Sequence, residues 1–434
     1  MKQLTRLFIP ICLETLFYML SGMVDTLMLS AVGDYAVGAV GTANSYIGIF
    51  IIMFSIISSG MVSVMTQNIG AGRPGVAYQA RQLGLLFNAV AGVLMAVFLF
   101  SGAGAILRMV GIADALYEPA LIYLKIVGGG CILNAVIPIF SSYLRAFGYT
   151  KQPLYATIVG NIVNFVMNAV FLFVLHKGVA GVAAATVISK ILNLCIVLYF
   201  SHKLISAKNS TERIANKTVL GQIVKVGLPS ACETALYNVA MMLVIRFLNQ
   251  MDAEGLNVTA RSYTATISNF SYCVGAALAQ ANAIMTGWHI GAGELEECDR
   301  GTKRAAFVGV CVAVCMETAI VLGSGFIMPL FTDNPEMTAL VRKLLAIDIV
   351  LEIGRVTNLV FGQALKTSGD AVFPAVIAAV FMFVFAVGGT WLFGISMGLM
   401  AVGAYIGLAS DECVRAVGMV WRWKTGKWRT KKLV

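Results

Sequence analysis

Charge is scarce in this sequence. Of 434 residues, 12% are Asp, Glu, Lys or Arg, and three are histidine. A soluble globular chain carries about 25% charged residues. A water-facing shell has to be polar, so half that supply cannot clothe a soluble protein. The shortage excludes an ordinary soluble enzyme, a disordered chain and a nucleic-acid module. No Cys-x-x-Cys and no Cys/His cluster occurs, and His176, His202 and His289 are scattered. A ligand set for a structural or catalytic transition metal is therefore missing. The nine cysteines do not read as a disulfide framework. Cys12, Cys131, Cys195, Cys232, Cys273, Cys311, Cys315 and Cys413 lie in apolar runs, where cysteine behaves as a small hydrophobe; Cys298 reads as a loop residue. The N-terminal apolar run to about Leu29 lacks a small-residue cleavage pattern, so it reads as a first span rather than a removed signal peptide.

What is present is apolar: 59% of the residues are hydrophobic and the mean hydropathy is +0.85. A spanning helix takes about 20 apolar residues. The runs predict twelve helices, at 7–31, 44–68, 83–106, 117–145, 153–175 and 179–203, then 222–249, 258–288, 304–330, 339–365, 371–394 and 398–423. They are long and continuous, unlike the ten-residue alternations of a membrane β-barrel. The fold class expected is an all-α integral membrane protein. With the N-terminus on the cytoplasmic side, 21 Lys and Arg fall inside and four (Arg108, Lys177, Arg342, Lys343) outside. That bias places both termini in the cytoplasm and favours an even number of spans; the location expected is a bacterial-type plasma membrane. Six more basic residues fall within spans: Lys125, Lys190, Arg246, Arg261, Arg355 and Arg415.

The chain repeats itself. Pro10, Glu14 and Thr15 recur as Pro229, Glu233 and Thr234, an offset of 219; Ile69-Gly-Ala-Gly72 recurs as Ile290-Gly-Ala-Gly293, an offset of 221. Gly148 and Pro153, after Arg145, recur as Gly369 and Pro374, after Lys366. Six spans per half make the repeat parallel, as in two-lobed secondary transporters with a substrate cavity between lobes. The domains expected are an N-terminal lobe (1–203), a cytoplasmic linker (204–221), a C-terminal lobe (222–423) and a basic tail (424–434). Short loops and the lack of a regulatory domain point to a monomer.

Ionisable groups inside spans are functional candidates, because burying them is costly. Asp25 lies deep in helix 1. Asn161, Asn164 and Asn168 share one face of helix 5 by their three- and four-residue spacing. They either form a polar site with Asp25 or merely hydrogen-bond helices together. Glu14 and Glu233 each follow a proline by four residues. Either they attract cationic substrate at a cavity mouth or they pair with a neighbouring helix. Asp25 maps onto Val244, so the first-half site is not duplicated. The second half carries Arg246, Arg261 and Arg355 against Glu233, Glu317, Asp348 and Glu352. Glu352 and Arg355 stand at i, i+3. These charges read either as internal ion pairs or as contacts of Arg355 or Arg261 to an anionic substrate or a proton-swapping acid. Asp411, Glu412 and Arg415 read as a pairing near the inner end of helix 12. The Trp-Arg-Trp-Lys tail reads as an interfacial anchor. Pro10 is either a kink point or an N-terminal helix residue that costs nothing.

These features together resemble the MATE family of multidrug and toxic-compound extrusion transporters over nearly the whole chain. The residues that carry the resemblance are the helix 1 proline followed by Val24-Asp25-Thr26, then Gln67-Asn-Ile-Gly-Ala-Gly72, Leu144-Arg-Ala-Phe-Gly148…Pro153, and the tail Arg422-Trp-Lys-Thr-Gly-Lys-Trp428. The resemblance implies an antiporter, not an enzyme, that exports organic, often cationic, small molecules in exchange for H⁺ or Na⁺, with no other cofactor and no nucleic-acid partner. In its DinF-like branch the helix 1 Asp faces positions here held by Asn164, Asn168 and Thr186, which makes Asp25, Asn164, Asn168 and Thr186 the implied cation-coupling set. Asn168 stands where that branch often has a second Asp, which tilts the expectation towards a proton. Sodium, an oxygen-seeking cation, stays possible at Asp25. In the family, bending at the Pro10 position is linked to protonation of the nearby Asp. Glu352-x-Gly-Arg355-x-x-Asn358 resembles one bacterial subgroup. Arg355 occupies the position of a helix 10 Asp that other branches use with a helix 7 acid, which puts that second site in doubt. The cavity and substrate candidates are thus Glu14, Glu233, Arg261, Glu352 and Arg355. The competing reading is a flippase of the same superfamily for a lipid-linked oligosaccharide. A prenyl-transferase-like enzyme would need DDxxD motifs, which do not occur.

Overall fold

The computed structural model describes residues 2–110, 112–205, 212–252 and 254–434. Among these it forms thirteen α-helices and no strand. The first seven are α1 (Lys2–Ser30), α2 (Asp34–Gly70), α3 (Pro74–Val110), α4 (Asp114–Gly129), α5 (Cys131–Ala146), α6 (Lys151–Ala169) and α7 (Gly178–Leu204). The other six are α8 (Asn216–Met251), α9 (Leu256–Ala292), α10 (Leu295–Ile327), α11 (Pro335–Thr367), α12 (Val372–Phe381) and α13 (Met400–Lys424).

The rod expected at 117–145 is two helices, α4 and α5, bent by 42°. The break falls on Gly128-Gly129-Gly130, where no side chain supports the turn. Close approach also needs glycine there, since a Cβ on Gly128 would lie 3.0 Å from the Leu99 Cβ. With α4 and α5 as one bent span, the helices form twelve rods, in line with the expected count. Most rods extend several residues beyond the apolar runs. Helix-forming polar residues continue past the hydrocarbon, so hydropathy marks the buried middle of a helix and not its end. Cys298, expected in a loop, sits in the first turns of α10 and is buried. Likewise 216–221 of the expected linker is the start of α8, while 206–211, with Lys208, lies outside the described residues. The chain just before α8 is clamped onto α3. The Gln79 amide donates to the Ile214 carbonyl (2.7 Å) and accepts from the Ile214 N–H (3.2 Å).

Among the described residues, eight helices are long and apolar enough to cross a membrane, nine with the bent pair counted once. Their outward faces carry exposed apolar side chains, such as Leu86, Val90, Val93, Leu94 and Val97 on α3. A multi-pass membrane protein accounts for this pattern. α9, α11 and α13 are not among the eight. They carry the buried polar groups Ser268, Ser271, Asp348, Glu352, Asn358, Asp411, Glu412 and Arg415, and such groups are tolerated at membrane depth when they face protein rather than lipid.

The chain divides into two compact units: Ile9–Gly227, and Leu228–Val434 with the residues before Ile9. Both crossings fall just ahead of a repeated proline, Pro10 inside α1 and Pro229 inside α8. α1 begins at Lys2, so the reading of Pro10 as an N-terminal helix residue is set aside. The repeat is visible in the backbone. Gly72 and Gly293 have φ of 73° and 78°, Gly148 and Gly369 of 84° and 96°, a left-handed region that favours glycine. Each ends its helix with the same bonds: Tyr149 N–H to Leu144 O (2.9 Å) matches Asp370 N–H to Leu365 O (3.0 Å). Even the π-helical segments recur, Val170–Val174 after α6 and Thr390–Ser396 before α13.

The tail corrects one expectation. Trp423 and Trp428 do not anchor in an interface; both are buried, their rings stacked at 4.2 Å. Each indole N–H has an acceptor within the protein, Trp423 to Asp299 (2.7 Å) and Trp428 to the Trp423 carbonyl (3.1 Å). Of the tail tryptophans only Trp421 is exposed on its own surface.

Candidate functional site

In the first unit, α1 and α6 bring together Asp25, Asn164 and Asn168. The Asn168 amide donates to Asp25 Oδ1 at 2.7 Å and to Asn164 Oδ1 at 3.2 Å. Asn164 and Asn168 are buried, and Asp25 is half-buried. The four-residue spacing on α6 stacks the two amides one turn apart. The Asn168 carbonyl oxygen is buried without a partner. Asn161 does not join the cluster; its amide donates to the Phe17 carbonyl at 2.8 Å and ties α6 to α1. Thr186 bonds the Val182 carbonyl (2.9 Å) and lies beside the buried Tyr123. One turn beyond Thr186, Lys190 donates to Asn134 Oδ1 at 2.8 Å and lies within electrostatic reach of Asp25. The sequence marked Lys190 only as an in-span charge. Its i, i+4 relation to Thr186 was the available signal.

Glu14 and Glu233 are both paired. Glu14 Oε1 meets Arg145 at 2.5 Å, and Glu233 Oε2 meets Lys366 at 2.8 Å. Arg145 and Lys366 are the repeat-equivalent positions already noted, so the ion pair is duplicated, once in each unit. In each, it ties the proline-bearing helix (α1 or α8) to a later helix of the same unit.

The second unit holds a cavity of about 460 Å³. Its charged lining is balanced: Glu233, Asp348, Asp411 and Glu412 against Arg261, Arg355, Lys366 and Arg415. The pairs interlock across α11 and α13. Arg355 bonds Glu352 and reaches Glu412 Oε1 at 3.7 Å; Arg415 contacts Asp411 Oδ2 and Glu412 Oε1, each at 2.7 Å. The Asn358 amide donates to Glu412 Oε2 at 3.0 Å, and Arg355 also lies over the Tyr272 ring at 5.7 Å. Gly354 permits this proximity, since a Cβ there would stand 2.7 Å from the Cys413 nitrogen. Arg261 differs from the others: it lines the cavity, its contact is to the Met241 sulfur at 3.8 Å, and among the described residues no carboxylate lies within ion-pair distance of it. Arg246 is exposed, and Val244, the counterpart of Asp25, is fully buried in an apolar core. Buried beside the cavity, Glu317 of α10 joins Asp348 and Glu352, a grouping the sequence did not reveal because it depends on how α10 packs on α11.

Comparison with known proteins follows this geometry. The MatE family profile matches residues 10–170 and 229–392, one segment in each half. The chain is 32% identical over 428 residues to YisQ of Bacillus subtilis (strain 168), an uncharacterized transporter, covering 97% of this chain and 94% of that one. It is 20% identical over 446 residues to the probable multidrug resistance protein NorM of Thermotoga maritima, covering 100% of this chain and 94% of that one. Among solved structures, an outward-facing multidrug resistance MATE transporter of the MOP superfamily superimposes with a TM-score of 0.85 at 21% identity, over 98% of this chain and 96% of that one.

Proposed function

The chain belongs to the MatE family of membrane transporters, and from that premise we propose that it is a secondary antiporter exporting organic, cationic small molecules in exchange for protons. In this reading Asp25 carries the coupling proton, and Asn164, Asn168 and Thr186 form its polar surround. The observation that carries the reading is the bond from the Asn168 amide to Asp25 in a buried cluster. An amide can serve both states of a carboxyl. Its N–H₂ donates to the ionised form, and its oxygen, here without a partner, accepts from the protonated form once the amide turns. Sodium is the alternative ion. It fits less well because the set supplies a single anionic ligand. The probable multidrug resistance protein among the relatives supports an organic drug-like substrate. A flippase for a lipid-linked sugar would favour a strongly cationic lining, and the second-unit cavity is instead balanced in charge.

In this reading the protein lies in the bacterial inner membrane with both termini cytoplasmic, and residues 1–203 and 222–423 act as the two lobes. The test is efflux of a cationic fluorescent dye from inverted vesicles under an imposed H⁺ or Na⁺ gradient. Efflux driven by the H⁺ gradient supports the reading. Efflux driven by Na⁺ alone replaces the ion, and no efflux under either gradient refutes the function.

A further inference from the structure

Arg342 and Lys343 are two of the four basic residues that the charge bias leaves on the outer side, and they are adjacent. Both line a groove of about 760 Å³ in the second unit, between the end of α10, the turn after it and the first half of α11. The groove lies at the start of α11. The opposite end of that helix leads to Asp370, which bonds Arg422 near the tail at 2.7 Å.

α11 shapes the groove by its spacing. Ala339, Arg342, Lys343 and Ala346 stand at i, i+3, i+4 and i+7, one face of the helix. The two alanines leave room that longer side chains would fill. From Pro335 to Ala346 the lining covers about 16 Å of helix. Its two ends differ. Asp333 and Thr332 sit at the loop end, while Val321 of α10 and Ala346 close the other.

The uncharged polar groups of the loop are already engaged with one another. Asn334 Oδ1 accepts from the N–H of Glu336 (2.9 Å) and of Met337 (3.3 Å). The Thr338 hydroxyl donates to the Asn334 carbonyl (3.1 Å), and the Thr332 hydroxyl accepts from the Asn334 N–H (3.1 Å). The charged groups are not. Among the described residues, no ion pair engages Asp333, Arg342 or Lys343.

The flanks are apolar. Leu322 and Leu330, the chain neighbours of Val321 and Pro329 in the groove wall, are 73% and 83% exposed. Phe326, one turn beyond Leu322 on α10, is 88% exposed. In a multi-pass membrane protein such side chains meet acyl chains. A ligand with a phosphate at one end and apolar chains at the other therefore matches the groove, whereas a water-soluble anion leaves its apolar end unfilled. Charge selects the headgroup. Arg342 and Lys343 against Asp333 leave one positive charge, which one phosphodiester neutralises. A choline or ethanolamine headgroup brings its own cation and leaves that excess in place.

We infer that this groove binds an anionic phospholipid of the phosphatidylglycerol type. Arg342 and Lys343 hold its phosphodiester, the guanidinium fork matching phosphate oxygens. Asp333 accepts from the headgroup hydroxyls, and the chains lie along Leu322, Phe326 and Leu330. None of the residues assigned to ion coupling takes part.

The test uses delipidated full-length protein in nonionic detergent, titrated with dioctanoyl-phosphatidylglycerol and, separately, dioctanoyl-phosphatidylcholine, with bound lipid counted by native mass spectrometry. The expected result is one phosphatidylglycerol per chain at concentrations where phosphatidylcholine is not retained. Affinity falls about fivefold in Arg342→Gln and in Lys343→Gln, and about thirtyfold in the double variant, the worth of one and two cations facing a lipid phosphate. Ala339→Phe fills the groove while keeping every charge, and it also weakens retention. The control is Arg108→Gln with Lys177→Gln, which removes the other two outer charges and leaves retention unchanged. All five side chains are exposed, and each groove variant serves if another fails to elute as a monodisperse protein. Wild-type protein that retains neither lipid, or both equally, overturns the proposal. So does retention unchanged in the double groove variant and in Ala339→Phe, or lost equally in the control. Release of the lipid by inorganic phosphate as readily as by added phosphatidylglycerol makes the occupant a free anion and overturns it too. Because lipid counting measures no transport, failure here leaves the antiport reading standing, and failure of dye efflux leaves this site standing.

Discussion

Inside the first unit, α2 and the first turns of α8 touch backbone to backbone at two glycines. A Cβ added to Gly227 would stand 1.7 Å from the Ile56 carbonyl oxygen, and one on Gly60 would stand 2.0 Å from the Ile223 carbonyl oxygen. Real Cβ contacts essentially never fall below 3.0 Å, so either methyl forces the helices apart by roughly an ångström. The obstacle is main chain and cannot rotate aside. Overpacking of this kind costs about 1–3 kcal/mol, against a gain of about 0.5–1 kcal/mol from replacing glycine with alanine in a helix. Gly60→Ala and Gly227→Ala should therefore destabilise by about 1–2 kcal/mol. The double variant should cost less than the two together, because the second methyl enters a gap the first has opened. Gly41 on α2 and Gly221 on α8 have nothing within 4 Å of the added atom, so their alanine variants should be neutral or more stable. The assay is thermal unfolding in one detergent, read by circular dichroism and by loss of the monodisperse peak. If Gly60→Ala and Gly227→Ala melt with Gly41→Ala and Gly221→Ala, the close crossing is wrong.

Three further outcomes are expected. Glu14→Gln should lower stability by about 1.5–3 kcal/mol, since it leaves Arg145 without its carboxylate, and the double reversal Glu14→Arg, Arg145→Glu should recover part of it in a melting cycle; Glu233 and Lys366 should behave alike. Asp252 caps α9, accepting from the Leu256 N–H (2.8 Å) and the Asn257 N–H (3.0 Å). Burial tends to raise its pKa, but the bonds from Asn257 and Leu256 outweigh this and hold it below the usual carboxylate range. Its contribution to stability is then full above the unfolded-state value and lost as pH falls through the folded one. A wild-type melting profile should show an acid-side loss that Asp252→Ala lacks. Trp428→Ala empties a buried stack on Trp423, a loss of about 3–5 kcal/mol for such a truncation, so trypsin should cut after Lys424 and Lys427 many times faster than in the wild type.

Much of this architecture was legible because it is written in local spacing. The offset of 219–221 predicted the duplicated turns at Gly72 and Gly293, and the three-and-four spacing on helix 5 placed Asn164 and Asn168 on the face that meets Asp25. Helix ends were less legible, since Cys298 and 216–221 continue helices through polar sequence that hydropathy reads as loop. The break after Gly129 needed the weighing of three glycines against an apolar run. Least legible was the meeting of Glu317 with Asp348 and Glu352, which rests on the rotation of α10 against α11 and leaves no periodic trace. The pairing of Glu14 with Arg145 and of Glu233 with Lys366 was not legible either, because it depends on which helices touch.

The central claim is that Asp25 carries the proton exchanged for substrate. It is tested most directly in proteoliposomes with an acidic lumen, by following lumenal pH as a cationic dye is added outside. The account predicts dye-dependent proton release in the wild type and none in Asp25→Asn reconstituted to the same level. Equal proton release in Asp25→Asn would contradict it and move the coupling elsewhere in the protein.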